Sequence, residues 1–282
     1  MKADLHNHSY YSDGVLSPRE VVGLADDSGC NLFALTDHDT TDGLSEAIEA
    51  ATQLPVNLIN GVEISAFWRN MTIHIVGLDI DLACDVLQSG LKYNQALRAE
   101  RAEKIGLGLR RAGISDAMNK TQEMSKTSML TRTHFAQMLI AEGYCKDMKT
   151  VFRRFLTGKK PGGVRVQWKE FDEVIGWIHS AGGKAVLAHP FRYRMTNTKI
   201  KKMLLDFKEA GGDGLEVITA TSTTDEVNWS AQWANEYNLL SSCGSDFHGW
   251  PNQRIQMGQL ADLPNGADAI WKHLGRPLHK PL

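Results

Sequence analysis

The sequence predicts an α/β protein, a parallel sheet or barrel of strands interrupted by an all-helical insertion. Three observations predict it. Short apolar, β-branched runs recur toward both ends of the chain, most of them follow a helix-like segment ending in glycine, and a central stretch loses the strand rhythm. At 282 residues the chain suffices for one barrel-sized domain or a domain carrying an insertion.

The first run is ADLHNH, 3–8. Side chains alternate faces along an extended chain, so His6 and His8 share one face and Leu5 and Asn7 the other. A first helix follows from Ser17-Pro18-Arg19-Glu20, which combines an N-cap serine, proline at the first helical position and a capping-box glutamate, with Val21, Val22, Leu24 and Ala25 as its apolar stripe. Further strands are read in LFALTDH (32–38), VNLINGVEIS (56–65) and MTIHIVGLDI (71–80). From about 82 to 168 strands are absent. Helices are read at 91–113, closed by Gly113, at 131–143 and at 147–158. The barrel resumes with KAVLAHP (184–190), GLEVITA (214–220) and LLSSCGSDFH (239–248). The expected division is therefore a barrel from 1–81 and 169–282, with a helical insertion at 82–168.

Composition limits the function classes. A hydrophobic content of 42% with 23% charged residues is that of a soluble globular chain, and a net charge of −2 advertises neither nucleic acid nor membrane, so any anion site must be built locally. No apolar run approaches the ~18 residues of a spanning helix, and the N-terminus lacks a secretory pattern. Cys30, Cys84, Cys145 and Cys243 form no C-x-x-C pair and read as free thiols. The expectation is a cytoplasmic protein.

The chemistry lies at the ends of the strands. His6 and His8 end the first, His38 follows the second, Glu63 lies near the end of the third, His74 within the fourth, His189 after the fifth, and Asp246 and His248 after the seventh, with Asp13 in a Ser-Asp-Gly turn. In β/α barrels the carboxyl-terminal rim carries the active site. His179, His273 and His279 fall on helices or the C-terminal tail and read as ordinary surface imidazoles. A catalytic zinc-type centre uses about three protein ligands. Nine candidates, His6, His8, Asp13, His38, Glu63, His74, His189, Asp246 and His248, therefore suit two or three divalent ions with a bridging carboxylate. A nitrogen and oxygen set without thiolate fits manganese, iron or zinc. Three such ions against three carboxylates leave the basin positive, which favours a phosphate substrate, and clustered metals catalyse phosphate ester hydrolysis.

H-x-H, T-D-H-D, the G-V-E-I-S and I-H-I-V-G pair, A-H-P and G-S-D-F-H occur in this order, and the chain resembles the PHP family of metallohydrolases, named for polymerase and histidinol phosphatase. The resemblance implies a distorted (β/α)7 barrel with a trinuclear centre; of the metals the ligand set fits, manganese is the one expected. It assigns one metal to His6, His8, Glu63 and Asp246, a second to Glu63, His74 and His189, and a third to Asp13, His38 and His248. The helical insertion with R-T-H-F-A, V-F-R-R-F-L and A-H-P-F-R-Y resembles the branch of nucleoside 3′,5′-bisphosphate phosphatases and 5′-to-3′ exoribonucleases of the RNase AM type. That likeness implies substrate-phosphate contacts from Arg98 and Arg101, which share a helix face, from Arg132, and further from His134 and Arg192. Guanidinium forks suit bidentate phosphate contacts. The implied substrate is a nucleotide with two phosphates losing its 3′-phosphate, the alternative a short 5′-phosphorylated RNA. A non-catalytic module and a histidinol phosphatase are the other readings. Candidates to protonate the leaving oxygen are His248, Asp37 and a metal-bound water.

Overall fold

The computed structural model describes residues 1–250 and 255–275, so His279 lies outside the described residues. Each of the seven apolar runs contains a strand: β1 (Ala3–Asp4), β2 (Leu32–Leu35), β3 (Asn57–Trp68), β4 (Met71–Leu78), β5 (Lys184–Leu187), β6 (Gly214–Thr219) and β7 (Leu240–Gly244). They form one sheet in sequence order. The two ends of the sheet meet: Leu5 N–H donates to the Cys243 carbonyl at 3.0 Å, and Asn7 bridges to Phe247. The result is a nearly closed seven-stranded barrel.

One strand departs from the expected parallel order. β4 runs antiparallel to both β3 and β5. Only Arg69 and Asn70 separate β3 from β4, and both adopt left-handed φ, 47° and 64°. Two such residues make a primed hairpin turn, whereas a parallel neighbour needs a crossover of about a dozen residues. A further consequence is that Glu63 lies in the middle of a twelve-residue strand, not near its end.

Helices α1 (Pro18–Asp27) and α2 (Leu44–Ala51) pack together under β2 and β3. The capping box of α1 forms, with Ser17 Oγ accepting from Glu20 N–H at 3.1 Å and Ser17 N–H donating to Glu20 Oε2 at 2.7 Å. Between β4 and β5 lie α3 (Asp85–Arg111), α4 (Ala117–Met124), α5 (Arg132–Ala141) and α6 (Met148–Val151), then a π-helical turn at Phe152–Leu156 and α7 (Phe171–Ser180). α8 (Asn197–Glu209) and α9 (Thr224–Glu236) complete the layer around β5 to β7.

α3 starts six residues earlier than the sequence reading, because Gly90 does not break it. A Cβ there would meet the Trp177 ring at 2.4 Å, so glycine lets α3 lie directly against α7. α4 was not anticipated. It buries only Ala117 and Thr121, too narrow a stripe to register as a helical period. The barrel core, the layer beneath α1 and α2, and the insertion each have an apolar cluster. α3 belongs to two of them, through Leu87 and Leu91 at one end and Ala102, Ile105 and Leu109 at the other. At 1.5 Å per residue it is about 40 Å long, a rod that carries arginines from the insertion over the barrel mouth. Among the described residues no helix is long and apolar enough to cross a membrane.

Candidate metal centre

Past β1 the chain stays extended, and Asn7 is tied backward by donating Nδ2–H to the Asp4 and Ala34 carbonyls, at 3.1 and 3.3 Å. Its neighbours His6 and His8 therefore face the barrel mouth. Both are fully buried, and their Nε2 atoms lie 3.2 and 3.3 Å from Glu63 Oε2. The same oxygen is 2.8 Å from His38 Nδ1, while Glu63 Oε1 is 2.8 Å from His74 Nδ1 and 3.0 Å from His189 Nε2. One carboxylate thus faces five imidazoles. Asp246 Oδ1 lies 2.9 Å from His8 Nε2 and 3.5 Å from His6 Nε2, and Asp13 Oδ1 lies 3.2 Å from His248 Nε2 and 3.8 Å from His38 Nε2.

The structure brings eight of the nine candidates into overlapping groups, and His189 adjoins them through its Nε2, 3.0 Å from Glu63 Oε1. His6, His8, Glu63 and Asp246 form one, His38, Glu63 and His74 a second, and His8, Asp13, His38 and His248 a third, with ligand atoms in each within 4.8 Å of one another. These residues fit divalent cations. His6 Nε2, His8 Nε2, His38 Nδ1, His74 Nδ1, Glu63 Oε2 and Asp13 Oδ1 are buried without a hydrogen-bond partner. Each such atom costs roughly 1–3 kcal/mol, and six around one basin make sense as a coordination set. Three of the imidazoles are held neutral, with a lone pair to offer: burial pushes His38 down to about 3 and His189 and His248 down to about 4. Burial alone would also lower His6, but the Glu216 and Glu63 carboxylates outweigh it and raise that imidazole to about 10. For Glu63, burial is outweighed by the facing His38, His74 and His6, which hold the carboxyl well below the ordinary range.

Behind the basin stand residues that the sequence reading did not single out. Glu216, on β6, accepts from His6 Nδ1–H at 2.6 Å through Oε1 and from the His189 backbone N–H at 2.6 Å through Oε2. It thereby fixes the tautomer that aims His6 Nε2 inward. Its signal was a lone acid in the apolar run GLEVIT. Gly244 leaves room for this contact, since a Cβ there would lie 2.2 Å from His6 Cβ and 2.9 Å from Glu216 Oε1. Because outer carboxylates of this kind are worth about 10–100-fold in metal affinity or activity, Glu216→Gln is expected to lower metal affinity by about that factor. Titration with Mn2+ measures it.

Over the basin opens a cavity of about 600 Å³ lined by Arg98, Arg101, Arg132 and Arg192, and by Arg165, which was not anticipated. Arg98 is already committed: Nε and Nη2 both donate to Asp39 Oδ2 at 2.6 Å, Nη2 also reaches Ser65 Oγ at 2.9 Å, and the guanidinium sits 5.5 Å from the Trp168 ring centroid. Asp39, in left-handed conformation, also accepts from Asn94 Nδ2–H and Ser65 N–H at 2.8 Å each. Arg98 therefore anchors α3 to the barrel while lining the cavity, with Asp39 and Ser65 as its partners. Arg101 differs, its Nε being buried without a partner. Arg132 lies over the Phe152 ring at 5.6 Å, and Arg192 pairs with Asp246.

Two further expectations are corrected. His134 does not line the cavity; its Nδ1 accepts from Thr131 N–H at 3.0 Å and closes the capping box of α5. Asp37 is likewise absent from the cavity lining; it accepts from Ser9 N–H at 2.8 Å, Ser9 Oγ–H at 2.6 Å and Ser12 Oγ–H at 2.6 Å, so it braces the 9–13 loop.

A seven-stranded α/β barrel with clustered imidazoles and carboxylates at its mouth, under an arginine-walled cleft, defines a metal-binding barrel shaped to receive an anion. The PHP domain profile matches residues 4–220, and the chain belongs to the PHP family. It is 43% identical over 99% of its length to the 3′,5′-nucleoside bisphosphate phosphatase of Chromobacterium violaceum, covering 98% of that protein. It is 41% identical over 96% of its length to a 5′-3′ exoribonuclease of Haemophilus influenzae, again covering 98% of it. The structure of an amidohydrolase from Chromobacterium violaceum with bound sulfate and no metal superposes with a TM-score of 0.92 at 44% identity, over 97% of this chain and 96% of that one.

Proposed function

We propose that the protein is a metal-dependent phosphoesterase that removes the 3′-phosphate of nucleoside 3′,5′-bisphosphates, converting adenosine 3′,5′-bisphosphate to AMP and phosphate. The observation that carries this reading is Arg101, which lines the same cavity as the metal basin and whose buried Nε has no hydrogen-bond partner. One phosphate belongs over the basin, and the arginine wall asks for a second.

His6, His8, Glu63 and Asp246 would hold one ion, Glu63, His74 and His189 a second, and Asp13, His38 and His248 a third, with manganese the preferred metal and iron or zinc the alternatives. When bound, such ions neutralise phosphoryl charge and lower the pKa of water toward neutrality. The chain's own groups do the rest. Arg101 and Arg132 grip the 5′-phosphate, and Arg98, locked to Asp39, keeps their helix in register with the basin. Arg192, paired with Asp246, borders the reacting phosphate. His248 donates Nδ1–H to the Asp246 carbonyl at 2.9 Å, so its Nε2 presents a lone pair and serves as ligand. With Asp37 absent from the cavity lining, water in the cleft supplies the proton to the leaving 3′-oxygen. Free cysteines at all four positions fit a cytoplasmic enzyme.

A second reading, exonucleolytic release of 5′-nucleotides from 5′-phosphorylated RNA, is favoured by the likeness to the Haemophilus influenzae exoribonuclease and by a second hollow that shares Arg192 with the cavity. The test is phosphate and mononucleotide release from bisphosphates, monophosphates and short RNAs with added Mn2+, before and after chelation. Arg132→Ala is expected to reduce the preference for bisphosphates over 3′-monophosphates by roughly 10- to 100-fold, as one charge-assisted contact of ~1.5–3 kcal/mol is lost. Unchanged selectivity in kcat/KM would remove Arg132 from the phosphate site.

A further inference from the structure

Beside the main cavity lies a hollow of about 90 Å³ that shares His189 and Arg192 with it as a common wall. Hydroxyl residues Thr219, Thr221, Ser222 and Ser230 line it, together with Phe191. At roughly 30 Å³ per water, it admits about three waters, or one phosphate group. Its two carboxylates are engaged elsewhere. Glu216 holds His6 and the His189 amide, and Glu226 accepts from Thr223 N–H at 2.8 Å in the capping box of α9. Arg192, which also pairs with Asp246, is the cation at this wall.

Phe191 leads outward from the hollow to a short aromatic stack. Its ring centroid is 6.1 Å from Trp229 and 5.7 Å from Trp233, and the two indoles lie 6.5 Å apart with planes at 15°. Trp233 is buried at 4% exposure, whereas Trp229 is 40% exposed, the one exposed tryptophan among the described residues. Glu226 and Ser230, which line the hollow, flank Trp229 on α9. An exposed indole held from behind by two aromatic rings is a preordered surface. A nucleobase stacks on it with little further loss of side-chain freedom, and any base will do.

We propose that this strip seats the RNA downstream of the cleaved bond, the next phosphodiester lying between Arg192 and the hydroxyls and the next base stacking on Trp229. The inference rests on the exoribonuclease reading. It sets the polarity of the strand: the 5′-phosphate sits at Arg101 and Arg132, the scissile bond over the metal basin, and the 3′ remainder leaves past Arg192. A nucleoside bisphosphate has no downstream residue and ends before the strip.

The experiment compares the Mn2+-loaded wild type with Trp229→Ala and Trp229→Phe on two substrates, a 5′-phosphorylated hexaribonucleotide and adenosine 3′,5′-bisphosphate. A lost stacking contact is expected to lower kcat/KM on the hexamer about tenfold, chiefly through KM. The bisphosphate rate should be unchanged, and Trp229→Phe should recover most of the loss on RNA. Equal losses on both substrates, or none on either, overturn the proposal. If the wild type releases no mononucleotide from RNA, the exoribonuclease reading fails separately. The strip is then judged by intrinsic fluorescence on adding the same hexamer: quenching present in the wild type and lost in Trp229→Ala sustains it, and absence of that difference overturns it.

Discussion

Glu63→Gln is expected to reduce phosphate release by on the order of 10³-fold, equivalent to about 4 kcal/mol of transition-state stabilisation, and to cost the protein at least one bound metal ion. The magnitude follows from position. The two Glu63 oxygens lie between 2.8 and 3.3 Å from nitrogens of His6, His8, His38, His74 and His189, residues delivered by four different segments of the barrel. Glutamine preserves shape but removes the negative charge and turns one oxygen into an amide that presents N–H to ligand nitrogens. Two cation sites that share this carboxylate are weakened together. Metal content by mass spectrometry after gel filtration, read beside phosphate release and a thermal melt, separates loss of the centre from loss of fold. A variant that keeps its full metal complement and its rate would show that Glu63 is no bridge.

The strands were legible because each buried run is apolar and bounded by glycine or a turn. The ladder of β1 nevertheless covers only Ala3–Asp4, since beyond it the chain bonds to β7 by isolated contacts, which alternation alone does not distinguish from a strand. The β3–β4 reversal was hidden because its turn is Arg69-Asn70, and arginine in left-handed conformation carries none of the Asn-Gly signal that marks a tight hairpin. Most of the nine ligand-type residues stood out as polar residues in or just beyond an apolar run. What lay behind them did not. Glu216 and Asp39 act through partners far away in sequence: Asp39 meets Arg98 across 59 positions, and Glu216 meets His6 across 210. Helix periodicity places Arg98 and Arg101 on one face. It says nothing of which guanidinium the barrel neutralises, and that difference decides their roles.

Arg101 is the clearest instance of a residue kept against stability. Burial, reinforced by the neighbouring Arg132 and Arg98 charges, drives its guanidinium pKa well below the ordinary value, and its buried Nε lacks a partner. A cation with a desolvated nitrogen that no hydrogen bond satisfies costs more than an apolar side chain of similar length. Arg101→Met is therefore expected to raise Tm by about 2 °C, the shift that ~1 kcal/mol produces in a domain of roughly this size. The same substitution should lower kcat/KM for adenosine 3′,5′-bisphosphate by on the order of 10²-fold, the loss of about 2.7 kcal/mol from a charge-assisted phosphate contact, while turnover of a 3′-monophosphate changes little. Inorganic sulfate in the melting buffer adds a control, since an oxyanion that satisfies Arg101 should raise Tm in the wild type and lose that effect in the variant. A variant that is destabilised, and that discriminates between mono- and bisphosphates as the wild type does, would mean that Arg101 supports the insertion and not the substrate.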